Sequence, residues 1–81
     1  MLNNKKYIHF IGIGGIGMSG LAAYLQYKGF KITGSDLENS ENTERLQRQK
    51  IPVIIGHSAA NISNPDLVVY TSAINDDNPE L

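Results

Sequence analysis

The sequence predicts a small α/β domain built on a parallel sheet, and three observations support this fold class. Short apolar runs alternate with longer polar or helical segments along the 81 residues. The runs are apolar throughout, which is typical of strands that are buried on both faces of a parallel sheet. A glycine-rich turn joins the first run to the first helical segment. Together these features predict a Rossmann-like half-domain with right-handed crossovers and flanking helices.

Four segments have the composition of buried strands, and they occupy residues 7–11, 30–34, 51–55 and 67–71. The right-handed crossover rule and the Rossmann half-domain pattern predict the strand order 3-2-1-4. The glycine-rich turn should then lie at the carboxyl edge of the sheet, between the first and fourth strands. His9 lies inside the first strand, so we interpret it as a structural histidine that is satisfied by a neighbour.

Two further segments have helical patterns. Between residues 16 and 28 the apolar residues recur on one helical face, at Met18, Leu21, Ala22 and Leu25. A second helix is predicted from an N-cap at Ser40 to about Lys50, with acidic residues near its start and basic residues near its end. Leu46 is the only apolar anchor of this second helix, so we expect it to lie loosely on the surface.

The composition excludes several classes of function. A net charge of −1 provides no basic field of the kind that attracts nucleic acid. The chain has no cysteine, which excludes disulfides and thiolate metal sites, and its two histidines are too far apart to predict a metal site. No apolar run approaches the roughly 18 residues that a membrane span needs. We therefore expect a cytoplasmic chain with neither a nucleic-acid nor a membrane partner.

The most informative motif is the glycine loop at residues 12–17, which reads G-I-G-G-I-G. It matches the G-x-G-x-x-G pattern in the required context, after a strand and before a helix. We expect Gly12 to allow the tight turn, Gly14 to let the backbone approach a diphosphate, and Gly17 to let the helix pack closely on its strand. The free N–H groups at the helix start would then face phosphate oxygens.

Asp36 follows the loop by roughly 20 residues, at the end of the second strand, where a carboxylate can accept hydrogen bonds from a ribose hydroxyl. The alternative is that the glycines only make a turn and that Asp36 only caps the residues after it. Strand, loop, helix and acid together favour a nucleotide diphosphate site. The spacing leaves open which nucleotide binds, so an NAD-binding module of a dehydrogenase or of a nucleotide-sensing regulatory domain is the rival interpretation.

The run H-F-I-G-I-G-G-I-G-M-S-G-L-A at residues 9–22 resembles the opening motif of the Mur ligase family. Later stretches fit the same family: G-S-D at residues 34–36, G-H at 56–57, and the end of the chain from S-A-I to D-D-N-P-E-L at 72–81. The resemblance covers nearly the whole chain. The exact sequence of the glycine loop favours the branch of the family that adds alanine. The hydroxyl-rich stretch at residues 71–74 argues against an NAD-binding module.

The resemblance implies an ATP-dependent ligase of three domains that adds L-alanine to UDP-N-acetylmuramate in peptidoglycan synthesis. Residues 1–81 would form its N-terminal, UDP-binding domain, and the central and C-terminal domains would lie outside this chain. The resemblance also implies that the central domain holds ATP and magnesium, and this chain itself has no G-x-x-x-x-G-K-[ST] motif. No cofactor and no ATP turnover are therefore expected on these residues. The parent enzyme would act in cell-wall biogenesis, cell shape and cell division.

Matching positions imply a UDP site in two parts. The residues expected against the diphosphate are Gly14, Gly15, Ile16, Gly17, Met18 and Ser19. The residues expected near the uridine are Asp36, His57, Thr71 and Ser72. Family members often carry serine where Thr71 stands, and threonine keeps the hydroxyl. We expect Gly14→Val to abolish diphosphate binding and leave the fold intact, and Asp36→Ala to weaken binding less.

Overall fold

A computed structural model of the chain describes residues 6–56 and 64–70. Within these residues a single sheet contains the strands β1 (Tyr7–Ile11), β2 (Lys31–Asp36), β3 (Val53–Ile55) and β4 (Leu67–Val69). The strands pair in parallel in the order β3-β2-β1-β4, which confirms the predicted fold class and strand order. The predicted contacts of His57, Thr71 and Ser72 lie outside the described residues.

The helix α1 (Ile16–Tyr27) connects β1 to β2, and α2 (Glu41–Arg48) connects β2 to β3. The expectation that α2 lies loosely on the surface is wrong. Leu46 is fully buried, as predicted for its only apolar anchor, but Thr43 is fully buried as well. Ser40 caps the helix as predicted, in a capping box with Thr43. These contacts fix the first turn of α2 against the rest of the domain.

The hydrophobic core contains residues from the sheet, from both helices and from the loops between them. Its buried members are Ile8, Phe10, Ile13, Met18, Ala22, Ile32, Leu46 and Ile51. One contact in this core requires a glycine. A Cβ atom on Gly34 would lie 2.7 Å from the Cβ of Ile13, which is closer than side chains pack. The glycine loop therefore packs on β2 through the side chain of Ile13.

The strands differ from the predicted ones in their bounds and in their exposure. β2 continues to Asp36 because Ser35 and Asp36 pair with β3. β3 begins at Val53, and β4 ends at Val69. Burial on both faces is a wrong expectation for β3 and β4, since Ile54, Ile55 and Leu67 are 47%, 45% and 54% exposed. These two strands are the outer ones of the described sheet, so each has a neighbouring strand on one side only.

His9 has the structural role that the sequence predicts. It is fully buried on β1, and its Nδ1 lies 2.8 Å from Oγ1 of Thr33 on β2. The Thr33 hydroxyl in turn donates to the hydroxyl of Tyr7 at 3.0 Å. A chain of hydrogen bonds thus crosses from β1 to β2 and back. In the described ranges, no helix combines the length and the apolar character that crossing a membrane would require.

Candidate functional site

The glycine loop follows β1 at the carboxyl edge of the sheet. Gly12 has a φ of 81°, a conformation that favours glycine, so its predicted role in the tight turn is confirmed. The N–H groups of Gly12 and Ile13 donate to the carbonyl of Ser35 at 2.8 and 3.0 Å. The loop is therefore hydrogen-bonded to the end of β2. The prediction that the loop lies between β1 and β4 is not matched by these contacts, which are with β2. The residues that follow Tyr70 lie outside the described ranges.

The start of α1 presents backbone donors that no side chain caps. Gly15 is the N-cap, with extended φ and ψ of −61° and 154°, and the first turn contains no acidic residue. The first helical hydrogen bond runs from the N–H of Ser19 to the carbonyl of Gly15, at 2.8 Å. The N–H groups of Ile16, Gly17 and Met18 precede that bond and have no acceptor within the helix. With the positive end of the helix dipole, they can bind an anion such as a phosphate.

The side chains of this segment do not all face the loop's open side. Met18 and Ser19 are buried, and the hydroxyl of Ser19 donates to the carbonyl of Ile16 at 3.2 Å. Ile16, in contrast, is 90% exposed. The predicted role of Gly17 in close packing is wrong, because a Cβ on Gly17 would meet no atom within 4 Å. Met18 can therefore contribute to an anion site only through its backbone N–H, whereas the N–H of Ser19 already donates to the carbonyl of Gly15.

Asp36 lies beside the glycine loop, at the end of β2, as the sequence predicts. Its Oδ2 accepts a hydrogen bond from the N–H of Gly14 at 2.8 Å, and its Oδ1 accepts a longer one from the N–H of Glu38 at 3.3 Å. The carboxylate is half-buried, so part of it still faces solvent. Asp36 thus holds the loop, and it offers an acceptor for a hydroxyl group next to the uncapped start of α1.

Gly14 is enclosed by its own domain, which corrects one expectation. A Cβ on Gly14 would lie 2.8 Å from Oδ2 of Asp36 and 2.8 Å from Cγ2 of Thr43. Gly14→Val therefore cannot leave the local structure unchanged, because either the carboxylate or the first turn of α2 must move. The glycine is needed at this position for an internal contact, whether or not a diphosphate approaches it.

Sequence reasoning missed two residues that contact the glycine loop, Asn42 and Thr43. The Nδ2 of Asn42 donates to the carbonyl of Gly14 at 2.9 Å, and the methyl group of Thr43 faces the missing side chain of Gly14. The signal was available in the capping pattern that begins at Ser40. A helix that starts a few residues after the carboxyl end of β2 has its first turn at the edge where the glycine loop lies.

Comparisons with known proteins match most of the chain to one family. Residues 7–81 match the family model described as "Mur ligase family, catalytic domain". The chain is 53% identical over 79 residues to the UDP-N-acetylmuramate–L-alanine ligases of Clostridium botulinum (strain Okra / Type B1) and Acetivibrio thermocellus. In both cases the match covers 98% of this chain and 17% of the relative. The chain therefore spans about a sixth of the length of these relatives.

A solved structure has the same fold. It is the UDP-N-acetylmuramate:L-alanyl-gamma-D-glutamyl-meso-diaminopimelate ligase from Neisseria meningitides, which superposes with a TM-score of 0.85 at 32% identity. The match covers 94% of this chain and 24% of that structure. The parallel sheet, the glycine loop and the family match all point to one conclusion: the chain belongs to the Mur ligase family.

Proposed function

We propose that this chain is the N-terminal, UDP-binding domain of an ATP-dependent ligase that adds L-alanine to UDP-N-acetylmuramate. The observation that carries the proposal is the uncapped start of α1 beside Asp36, at the carboxyl edge of the sheet. The identity of 53% to relatives named UDP-N-acetylmuramate–L-alanine ligase supports the choice of amino acid. Membership of the Mur ligase family does not favour the alternative of an NAD-binding module.

The proposed site divides the nucleotide between two groups of residues. The diphosphate lies against the segment from Gly14 to Ser19 and accepts hydrogen bonds from the free backbone N–H groups of α1. Asp36 accepts a hydrogen bond from a hydroxyl of the nucleoside, and its bond to Gly14 couples the two halves of the site. The resemblance to the family implies that the uridine also contacts His57, Thr71 and Ser72.

The chemistry of the ligase lies outside these residues. The parent enzyme is a cytoplasmic protein of peptidoglycan synthesis, and its central domain holds ATP and magnesium. This chain supplies substrate binding, through backbone donors and one carboxylate. We therefore expect no ATP hydrolysis and no ligase turnover by the 81-residue chain.

The proposal is tested by calorimetric titration of the chain with UDP-N-acetylmuramate, UDP, NAD and ATP. We expect measurable binding of UDP and a clear preference for UDP over NAD. Asp36→Ala should weaken UDP binding by about 1.5–3 kcal/mol, the usual contribution of a hydrogen bond to a charged group. Tight binding of NAD with no binding of UDP would reject the ligase assignment in favour of the dehydrogenase-like alternative.

Asp66→Ala is a matched control for Asp36→Ala. Asp66 also accepts a backbone N–H at 2.8 Å, from Tyr7, but it does so at the amino end of β1. Both variants lose a carboxylate that holds a neighbouring strand or loop. A decrease in UDP affinity that is equal in the two variants would mean that Asp36 acts only on the fold.

A further inference from the structure

Gly14 is held by side chains on both sides of its backbone. Its N–H donates to Asp36 at the end of β2, at 2.8 Å, and its carbonyl accepts from Nδ2 of Asn42 in the first turn of α2, at 2.9 Å. Asn42 is half-buried, and no position assigned to the UDP site includes it. The loop is therefore fixed by two different elements of the fold.

The bond from Asn42 determines how the start of α1 is oriented. The carbonyl of Gly14 and the N–H of Gly15 belong to one planar peptide group, so fixing one of them fixes the direction of the other. The N–H of Gly15 donates to the carbonyl of Gly12 at 3.2 Å, on the opposite side of that group. The free N–H groups of α1 follow immediately. Their direction depends on this peptide plane.

Asn42 is itself oriented by its neighbours. The Nη2 of Arg45 donates to Oδ1 of Asn42 at 3.1 Å, which directs the amide nitrogen towards Gly14. The capping box holds the helix turn in place, with the N–H of Ser40 donating to Oγ1 of Thr43 at 2.7 Å. Both Asn42 and the loop that it contacts are thus fixed before any ligand binds.

We infer that Asn42 is a positioning residue for the diphosphate: it acts through Gly14 to aim the free backbone N–H groups of α1. The inference rests on the proposed UDP site. Its consequence is expected for the phosphates, since Asn42 contacts the carbonyl of Gly14, on the side that leads into α1, and does not contact Asp36, which is assigned to the uridine. Removing Asn42 should therefore weaken the binding of UDP and not that of uridine.

The test compares Asn42→Ala with Gln47→Ala in the 81-residue chain. Gln47 is also an amide side chain on α2, but its Nε2 lies 3.4 Å from the carbonyl of Val53 on β3, away from the loop. Alanine favours the helix at both positions, so helix propensity does not explain a loss. UDP and uridine are titrated separately by chemical-shift mapping. The stability of each variant is measured by urea denaturation.

In Asn42→Ala we expect UDP affinity to fall roughly three- to tenfold, which corresponds to the loss of one hydrogen bond, while uridine affinity is unchanged. Hydrogen exchange of the Gly15 amide should become faster in the nucleotide-free variant, with exchange in β1 unchanged. Gln47→Ala should match the wild type in every measurement. Arg45→Ala should show a smaller loss of UDP affinity, because the amide of Asn42 is then free to rotate.

Three outcomes would overturn the inference. UDP affinity of Asn42→Ala equal to that of the wild type would mean that the loop does not need the bond. A parallel loss for UDP and uridine, together with lower stability, would make Asn42 a purely structural residue. A wild-type chain that binds no UDP would reject the proposed function itself, and the role of Asn42 with it.

Discussion

The two helices of the domain both begin at the carboxyl edge of the sheet, but their first turns are completed differently. At α2, the hydroxyl of Ser40 accepts the N–H of Thr43, and the acidic residues Glu41 and Glu44 follow in the first turn. At α1, the N-cap is Gly15, which has no side chain, and the first turn has no acidic residue. The two helix starts therefore have the same backbone polarity, but side chains complement it in α2 and not in α1.

This difference separates a helix start that is capped by its own side chain from one that is open to a ligand. In α2 the Ser40 hydroxyl caps the N–H of Thr43 and the acidic residues complement the dipole, which stabilises the helix and leaves less for a ligand. In α1 the same groups stay open, and an anion from outside can satisfy them. The helix start that lacks its own cap is thus the one at which the phosphates of a nucleotide are expected.

The largest effect is expected from Gly14→Val, which disrupts the contact between the two helix starts. The valine Cβ would overlap Asp36 and Thr43, each at 2.8 Å, so we expect a loss of about 1–3 kcal/mol in the free energy of unfolding. UDP binding should be abolished. Urea denaturation and a UDP titration measure the two effects. Gly20→Ala is the control, because a Cβ on Gly20 meets no atom within 4 Å.

Gly15→Asp should make the start of α1 resemble that of α2. A Cβ on Gly15 would make only ordinary contacts, of 3.5 Å or more, and the backbone there is extended, so an aspartate fits. Its carboxylate would cap the free N–H groups and repel a diphosphate. We expect a gain of a few tenths of a kcal/mol in stability and a loss of about 1.5–3 kcal/mol in UDP binding.

Gly15→Asn separates the two parts of that effect, since asparagine caps a helix without adding a charge. Its UDP affinity should lie between those of the wild type and Gly15→Asp in an isothermal titration. If Gly15→Asp binds UDP as well as the wild type does, the diphosphate does not lie at the start of α1.

Ser40→Ala should remove the cap of α2 at a cost of about 1 kcal/mol in the free energy of unfolding. The measurement is a urea denaturation curve, with Ser40→Asp as the variant that keeps a capping oxygen. Because Ser40 acts on the capped helix start, UDP affinity should change less than it does in Gly15→Asp. A larger effect on UDP binding than on stability would place Ser40 in the binding site.

Gly17→Ala should stabilise the fold slightly, in contrast to Gly14→Val and Ser40→Ala. A Cβ there meets no atom within 4 Å, so replacing a helical glycine should raise the free energy of unfolding by about 0.5–1 kcal/mol. Thermal denaturation gives the change in stability. A loss of stability would mean that Gly17 has a packing role after all.

The strand order was predictable from the sequence, because the handedness of crossovers leaves few ways to arrange these elements. The placement of Asp36 beside the glycine loop was predictable for the same reason, since both follow parallel strands. The hydrogen-bond partner of Asp36 was not predictable. The spacing of residues gives the edge of the sheet at which a carboxylate lies, but only the atomic arrangement shows that Oδ2 already accepts the N–H of Gly14.

The contacts of α2 were harder to predict, because they depend on how the helix is rotated. Asn42 and Thr43 are adjacent in sequence, yet one donates to the loop and the other fills the space beside Gly14. Neither contact has a signal in the apolar pattern of the helix. The exposure of β3 and β4 escaped prediction for a different reason: an apolar run has the same composition whether its strand is central or outermost, so the burial of a strand follows from its place in the strand order.

The contact between Ile13 and Gly34 has a consequence for the evolution of the site. The branched side chain of Ile13 occupies the space in which a side chain at position 34 would lie. The volumes of these two residues are therefore linked. In an alignment of related chains, a larger residue at position 34 should occur with a smaller one at position 13. That pair of positions would then covary, even though neither side chain is expected to touch the nucleotide.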